Sequence, residues 1–274
     1  MSAYIGSMFS ALRKYLLIPR LIRLSSGAPR DPLTAWDTYW GNVRSTGAAG
    51  DVLWDSGSGH ELEGYLPKLA LLDPTLPMVD VGCGNGSFTR RLARHFPHAL
   101  GLDYAANAVE RARLETADMT TASFGVCDMT APDASQTVST ALGSAGFTGD
   151  ANVFIRGVLH VLDRKGRAAL AANLLPVVGK RGTVFLAETN FPGTPVDYVT
   201  HLGATRDSIP APLEWAIRGL PMPGRFGAAQ RRKAFPTADW DLVEEGTANI
   251  ETRPLSNPSA PDVIPGYFAI LRAR

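Results

Sequence analysis

The chain has 274 residues, of which 45% are hydrophobic and 19% charged, the profile of a globular protein with a sizeable core. This length allows one α/β domain with additional elements. A net charge of +1 excludes a global field that could hold a polyanion, so we expect no nucleic-acid partner. No apolar run reaches the ~18 residues that a membrane span needs.

The first thirty residues are basic and carry an apolar stripe at helical spacing, which we expect Pro19 to interrupt. A signal peptide would need a longer apolar core. Two interpretations stay open. The helix packs over the protein's own active site, or it lies on a membrane surface and gives a cytoplasmic protein peripheral contact with the inner membrane. The stripe consists of Ile5, Met8, Phe9, Leu12 and Leu16, and the cations are Arg13, Lys14, Arg20, Arg23 and Arg30.

Residues 1–59 are predicted to form a helical and aromatic cap, with loop and short helical pieces over 25–59. Residues 60–274 are predicted to form the core, in which strands and helices alternate as a parallel sheet requires. The predicted strands are Met78–Val81, Ala99–Asp103, Ser123–Val126, Val153–Ile155 and Thr183–Ala187. The predicted helices are Glu61–Leu72, Ser87–His95, Ala105–Leu114 and Gly166–Val178.

The alternation stops over residues 190–238, which hold seven prolines and one plausible helix, Leu213–Leu220. A connection of this length is usually functional, so we expect a substrate lid. Two closing strands, Trp240–Glu251 and Gly266–Arg272, are predicted to be antiparallel neighbours, since no helix-length segment separates them.

The sharpest motif is a glycine loop between the first strand and its helix. Gly82, Gly84 and Gly86 stand at alternate positions, where the absence of Cβ permits a tight turn and close approach to a ligand. A dinucleotide fingerprint has the spacing G-x-G-x-x-G instead. Asp80, two residues before the first glycine, would repel a pyrophosphate and suits a ligand that bears an ammonium group.

Two further acids end the next two strands. Asp103 stands where an acid would bind a ribose diol. Asp128 can accept a hydrogen bond from an adenine amino group, and Met129 can pack on the ring. Ligands of open α/β sheets bind at this edge.

The segment from Asp80 to Gly86 resembles the first motif of class I S-adenosylmethionine-dependent methyltransferases, and Asp103 and Asp128 match their ribose and adenine positions. Residues 157–162 are similar to the segment after that family's fourth strand. The resemblance implies S-adenosylmethionine as cofactor. It also implies a Rossmann-like, mostly parallel seven-stranded α/β sheet with helices on both faces and the last strand antiparallel. The implied cofactor-binding residues are Asp80, Gly82, Cys83, Gly84, Gly86, Asp103, Tyr104, Asp128, Met129 and Arg156.

The aromatic opening, Trp36–Trp40 followed by Trp54 and Asp55, is similar in outline to the start of thiopurine-type methyltransferases. There, aromatic residues cover the cofactor. The alternative is that these tryptophans pack a lid onto the core.

Methyl transfer needs alignment, exclusion of water and, for a hydroxyl acceptor, removal of a proton. His160 is the candidate general base, because it follows the fourth strand and imidazole titrates in the useful range. The alternative is a histidine that only holds the loop. His201 is a second candidate. We expect no metal, since Arg156 and Gly157 stand where catechol-type relatives have an acid; Arg156 approaches the cofactor or forms a salt bridge.

The leading hypothesis is therefore O-methylation of a small-molecule acceptor that is apolar, aromatic or lipid-linked. The alternative is an S-adenosylmethionine-binding enzyme that performs cyclisation, decarboxylation or elimination. The basic run of Arg225 and Arg231–Lys233 is interpreted as a solvated face. Cys83 and Cys127 are predicted to be buried free thiols, as in a reducing compartment such as the cytoplasm. Nothing in the sequence predicts an oligomeric state.

Overall fold

The computed structural model describes residues 14–255 and 261–274. The strands in this part of the chain are β1 Met78–Val81, β2 Ala99–Asp103, β3 Ala122–Val126, β4 Asn152–Arg156, β5 Val184–Thr189, β6 Trp240–Thr252 and β7 Asp262–Ala273. They form one seven-stranded sheet in the order β3-β2-β1-β4-β5-β7-β6.

The helices surround this sheet in sequence order. A short 3-10 helix, Lys14–Leu17, leads into the first of them. They are α1 Ile18–Ser25, α2 Pro32–Gly41, α3 His60–Leu69, α4 Ser87–Leu92, α5 Ala106–Leu114, α6 Ala134–Ser144, α7 Arg164–Val178, α8 Pro195–His201, α9 Ala211–Gly219 and α10 Ala228–Ala234.

Strands β1 to β5 pair in parallel, and β7 runs antiparallel to β5, with Ile270 opposite Phe185. The predicted Rossmann-like sheet with an antiparallel last strand is confirmed. The closing strands are neighbours, as expected, and β6 lies at the sheet edge beyond β7.

Local sequence explains where the elements begin and end. β1 is four buried residues between Pro77 and the positive-φ residue Gly82. Helix α7 begins at Asp163, whose carboxylate accepts a hydrogen bond from the Gly166 N–H at 2.7 Å, and ends at Gly179 with φ of 53°. Side-chain caps and a left-handed glycine are typical helix boundaries.

Alternate residues of the strands supply two different cores, because successive side chains point to opposite faces of a sheet. One face is aliphatic, and Val79, Leu100, Ile155 and Leu186 there pack with residues of α6 and α7. The other face carries a row of stacked rings. These are Phe88, Phe154, Phe185 and Phe268, with successive centroids 5.5–6.2 Å apart.

The chain divides into two compact units. The small unit comprises residues 1–58, 191–222 and 251–263, and the sheet unit comprises residues 59–190, 223–250 and 264–274. Within the small unit, α1 and α2 both pack against α9. Two ion pairs tie its distant segments, Lys14 with Asp197 at 2.5 Å and Arg20 with Glu214 at 3.4 Å.

The region 190–238 differs from its prediction. It contains α8, α9 and α10 where the sequence indicated one helix, and it is divided between the two units. Seven prolines obscured the short helices, yet proline is compatible with a first helical turn, as at Pro195 and Pro212. Pro19 likewise lies in the first turn of α1, so it begins a helix and does not only interrupt one.

Helix α6 had no prediction, because its polar residues outnumber its buried ones. Ala134, Val138 and Leu142 are buried at a spacing of four, and this narrow stripe suffices to seat it on the sheet. Most of the expected N-terminal stripe, Ile5 to Leu12, lies outside the described residues, and Leu16 is exposed. Among the described residues, no helix has the length and apolarity to cross a membrane.

Candidate active site

The glycine loop joins β1 to α4, and all three glycines have positive φ: 73° at Gly82, 54° at Gly84 and 73° at Gly86. A Cβ at Gly82 would lie 2.3 Å from a methyl of Val158, and one at Gly86 would lie 2.6 Å from the ring of Phe124. Glycine is therefore required at these two positions by backbone conformation and by internal packing. Close approach to a ligand, the reason inferred from sequence, is not the only one.

Asp80 lies in β1 and is 2% exposed. Its Oδ2 accepts a hydrogen bond from the Thr89 hydroxyl of α4 at 2.5 Å. Burial raises the pKa of Asp80 to about 7, and the Thr89 hydrogen bond opposes this shift. Asp80 thus ties the glycine loop's strand to its helix from beneath, and it remains the carboxylate expected to face an ammonium group.

Asp103 ends β2 and is buried. Its Oδ2 accepts from the Gly84 N–H and its Oδ1 from the Ala105 N–H, both at 3.0 Å. This carboxylate therefore fixes the glycine loop as well as standing at the expected ribose position. Tyr104 follows it and is half-buried.

The residues after β3 are placed differently from one another. Asp128 is exposed, and its Oδ1 accepts from the backbone N–H and hydroxyl of Thr130 at 2.8 and 2.7 Å. Met129 is 4% exposed and belongs to the aliphatic core. Strand register sets Asp103 opposite Val126, so Asp80, Asp103 and Asp128 follow neighbouring strands at one edge of the sheet.

Both cysteines are free and buried, which confirms the expectation of unpaired thiols. Burial raises the pKa of Cys127 to about 11 and that of Cys83, inside the glycine loop, well above its ordinary value. Neither thiol is therefore suited to act as a nucleophile near neutral pH.

Arg156 ends β4 and forms a buried ion pair with Glu61 of α3. Its Nε and one terminal nitrogen donate to the two carboxylate oxygens at 2.9 and 2.7 Å, and the side chains are 8% and 3% exposed. Its guanidinium also lies 5.2 Å from the centre of the Phe88 ring. Of the two roles inferred from sequence, the salt bridge is observed; Glu61, an acid in the first turn of a helix, was not singled out as its partner.

His160 is paired with Glu188, an acid of β5 that is fully buried. His160 Nδ1 lies 2.8 Å from Oε2 of Glu188. The same carboxylate accepts backbone N–H bonds from Val158, Leu159 and His160 at 2.8–3.1 Å. Four donors converge on Glu188, so the loop after β4 and the imidazole are held together. Sequence reasoning had noted Glu188 after the fifth strand but had not paired it with His160.

The remaining candidates lie elsewhere. His201 is exposed, and its Nε2 lies 2.7 Å from the Val263 carbonyl. Arg231, interpreted as part of a solvated face, is instead buried in the sheet unit, where it pairs with Glu245 at 2.9 Å and lies 3.3 Å from the Tyr267 hydroxyl. That interpretation was wrong for Arg231, because helix α10 turns this one cation of the run inward.

Residues 79–184, which span the glycine loop and the His160 segment, match the protein family described as "Methyltransferase domain". No curated protein matches the chain.

Solved structures give the same answer for the fold. A SAM-dependent methyltransferase from Anabaena variabilis is 25% identical, with a TM-score of 0.74 over 90% of this chain and 97% of that chain. One from Methanosarcina mazei is 15% identical, with a TM-score of 0.53 over 76% and 96%. Magnesium protoporphyrin IX methyltransferase from Synechocystis, with bound SAH (S-adenosylhomocysteine), is 15% identical, with a TM-score of 0.50 over 87% and 93%.

The chain is a class I S-adenosylmethionine-dependent methyltransferase, and S-adenosylmethionine is its cofactor.

Proposed function

We propose that this methyltransferase transfers the methyl group to a hydroxyl of a small molecule, with His160 as the general base. The observation that carries the proposal is the 2.8 Å contact between His160 Nδ1 and the buried carboxylate of Glu188. A positioned imidazole is needed for a hydroxyl acceptor, whose proton must be removed, and is dispensable for an acceptor that is already nucleophilic.

The sheet edge suits the cofactor. The glycine loop is held open by Asp103 from one side and by Asp80 from beneath, and both anchors are buried carboxylates. We assign Asp80 to the ammonium group, Asp103 to the ribose and Asp128 to the adenine. The remaining assigned cofactor contacts are Gly82, Cys83, Gly84, Gly86, Tyr104, Met129 and Arg156. Bound S-adenosylmethionine supplies a methyl group on a sulfonium, already activated toward a nucleophile.

The histidine's tautomer follows from its partner. An ionised carboxylate only accepts hydrogen bonds, so Nδ1 of His160 carries its proton toward Glu188 and Nε2 carries the lone pair. Nε2 takes the acceptor's hydroxyl proton as the oxygen attacks the methyl carbon. The resulting imidazolium is stabilised by Glu188, whose charge is already in place and needs no reorganisation.

The acceptor is proposed to be a small apolar, aromatic or lipid-linked molecule. The near-neutral net charge supports this over a nucleic acid. Residues 1–59 are proposed as the cap and 190–238 as the segment that covers the acceptor. The two buried thiols support a cytoplasmic location; peripheral contact with the inner membrane remains the alternative role for the N-terminal segment.

The test measures transfer from methyl-labelled S-adenosylmethionine to a panel of phenols, alcohols, amines and thiols. With the accepted hydroxyl compound, His160→Ala should lower kcat by about 100-fold at saturating cofactor. His95→Ala, at an exposed histidine of the same unit, is the control and should keep full kcat. Label that enters amines or thiols alone, or full kcat in a stably folded His160→Ala variant, would rule the proposal out.

A further inference from the structure

Four of the chain's five tryptophans lie together in the small unit, around the ring of Tyr39. Tyr39 contacts Trp36, Trp40, Trp54 and Trp215, with ring centroids 5.1–6.2 Å apart. We call these five residues the tryptophan cluster. Its members come from α2, the loop that follows and α9, so the fold gathers them from distant segments of one unit.

The cluster differs from an ordinary core because its outer rings are not enclosed. Tyr39 and Trp40 are 2% and 3% exposed, whereas Trp36, Trp54 and Trp215 are each only half-buried. Large aromatic surfaces left accessible side by side are typical of recognition surfaces.

A second observation points to a ligand. The hydroxyl of Tyr39 is buried and, among the described residues, has no hydrogen-bond partner. Buried hydroxyls in folded proteins almost always find a partner, because leaving one unsatisfied costs free energy. A polar substituent of a bound molecule could satisfy it.

The geometry discriminates between ligand classes. A cage for an organic cation holds its rings around an empty centre. Here the rings contact one another at 5.1–6.4 Å and fill the space between themselves. The adjacent acid, Asp55, is buried, and its carboxylate accepts N–H bonds from Gly47 at 2.9 Å and Gly57 at 3.2 Å. What the cluster offers is stacking surface on its half-buried tryptophans, which suits a flat, uncharged ring.

We infer that the tryptophan cluster binds the planar aromatic ring of the methyl acceptor, by stacking against Trp36, Trp54 and Trp215. The inference rests on the proposed function only for the word acceptor. The binding of an aromatic ring to the cluster is testable without any methyl transfer.

The experiment uses equilibrium dialysis of the full chain with 2-naphthol, in the presence of SAH. Decahydro-2-naphthol, of similar size but without a flat ring, and tetramethylammonium are the comparison probes. 2-Naphthol should bind at least about tenfold more tightly than either probe. Equal binding of the saturated alcohol, or preferred binding of the cation, overturns the inference.

Variants locate the binding. Trp54→Leu and Trp36→Leu should each weaken 2-naphthol binding by about tenfold, and Trp54→Phe should restore most of it. Phe191→Leu is the matched control, since Phe191 is a half-buried ring of the same unit that contacts Tyr198 and His201 instead. Its affinity should be unchanged. Melting temperatures are measured for all variants, and Trp54→Phe provides the comparison if a leucine variant unfolds.

The same variants separate this inference from the proposed function. SAH affinity should not change in Trp54→Leu; if it falls while 2-naphthol binding persists, the tryptophans cover the cofactor and the inference is wrong. If 2-naphthol binds to the cluster as expected but hydroxyl compounds are never methylated, the proposed O-methylation fails and the aromatic site stands.

Discussion

The carboxylate of Asp103 accepts a hydrogen bond from the backbone N–H of Gly84, across the turn that separates the first two strands of the sheet. One side chain therefore shapes the glycine loop and occupies the position expected to bind the cofactor's ribose. Cofactor affinity and loop geometry should depend on it together.

Asp103→Ala should weaken SAH binding by about 1–3 kcal/mol, through lost charge-assisted hydrogen bonds to the ribose and a less ordered loop. Isothermal titration calorimetry measures the change. Asp118→Ala, at an exposed acid of the same unit, is the control and should bind SAH normally. Unchanged affinity in Asp103→Ala would mean that the ribose lies elsewhere.

Glu188→Gln should lower kcat with little effect on cofactor affinity. The amide can still accept from the loop's N–H groups through one oxygen, but it cannot stabilise the imidazolium as a carboxylate does. The dependence of kcat on pH distinguishes this from a merely structural loss. In the wild-type enzyme kcat should rise with pH as His160 loses its proton, and the midpoint should move to lower pH in Glu188→Gln, since removal of a negative neighbour disfavours the charged imidazole. An unchanged midpoint contradicts the positioning role.

The buried Asp80 makes a prediction about stability and pH. Burial raises its pKa from 3.8 to about 7 on folding. At low pH the carboxyl is protonated in both states and costs nothing. As the pH rises toward about 7, the unfolded chain ionises while the folded protein does not, so the folded state is progressively destabilised. Relative to Asp80→Asn, the wild type should lose at most about 4 kcal/mol across this window and no more above it.

Urea unfolding of both proteins between about pH 4 and pH 8 measures this difference. Comparing the pair cancels the titration of all other carboxyl groups. A difference in unfolding free energy that stays constant with pH would show that Asp80 is ionised in the folded protein throughout.

The Arg156–Glu61 pair should be costly to break from one side. Glu61→Gln leaves a buried guanidinium without its counter-charge and should lower the free energy of unfolding by about 3–5 kcal/mol. Glu61→Gln combined with Arg156→Met should recover much of this loss, since no buried charge then remains. The matched control is the exposed pair Arg274–Asp241, at 2.7 Å, where Asp241→Asn should cost less than about 1 kcal/mol. Equal losses at the two pairs would contradict the effect of burial.

The elements that sequence reasoning found are those with strong local signals. β1 is a buried apolar run that stops at a glycine, and the spacing of Gly82, Gly84 and Gly86 is itself a local pattern. The pairing of His160 with Glu188 is not local. Twenty-eight residues separate the two, and they meet because the register of β4 and β5 sets Arg156 opposite Ala187. An acid at the end of the neighbouring strand is the signal that could have found it.

The tryptophan cluster shows the same limit. Trp36, Trp40 and Trp54 are close in sequence and were noted, but Trp215 joins them only through the packing of α9 against α2. The stripe of α6 was missed because three small or medium apolar residues among polar ones carry little periodic signal.

The strand order has a consequence for how the protein is made. β7 lies between β5 and β6, although it follows both in sequence. During synthesis β6 therefore emerges with no sheet edge to join, and β5 keeps an open edge of buried apolar residues until β7 inserts. A ribosome that stalls between Thr252 and Asp262 would display both unpaired edges at once, the condition that favours aggregation and chaperone capture.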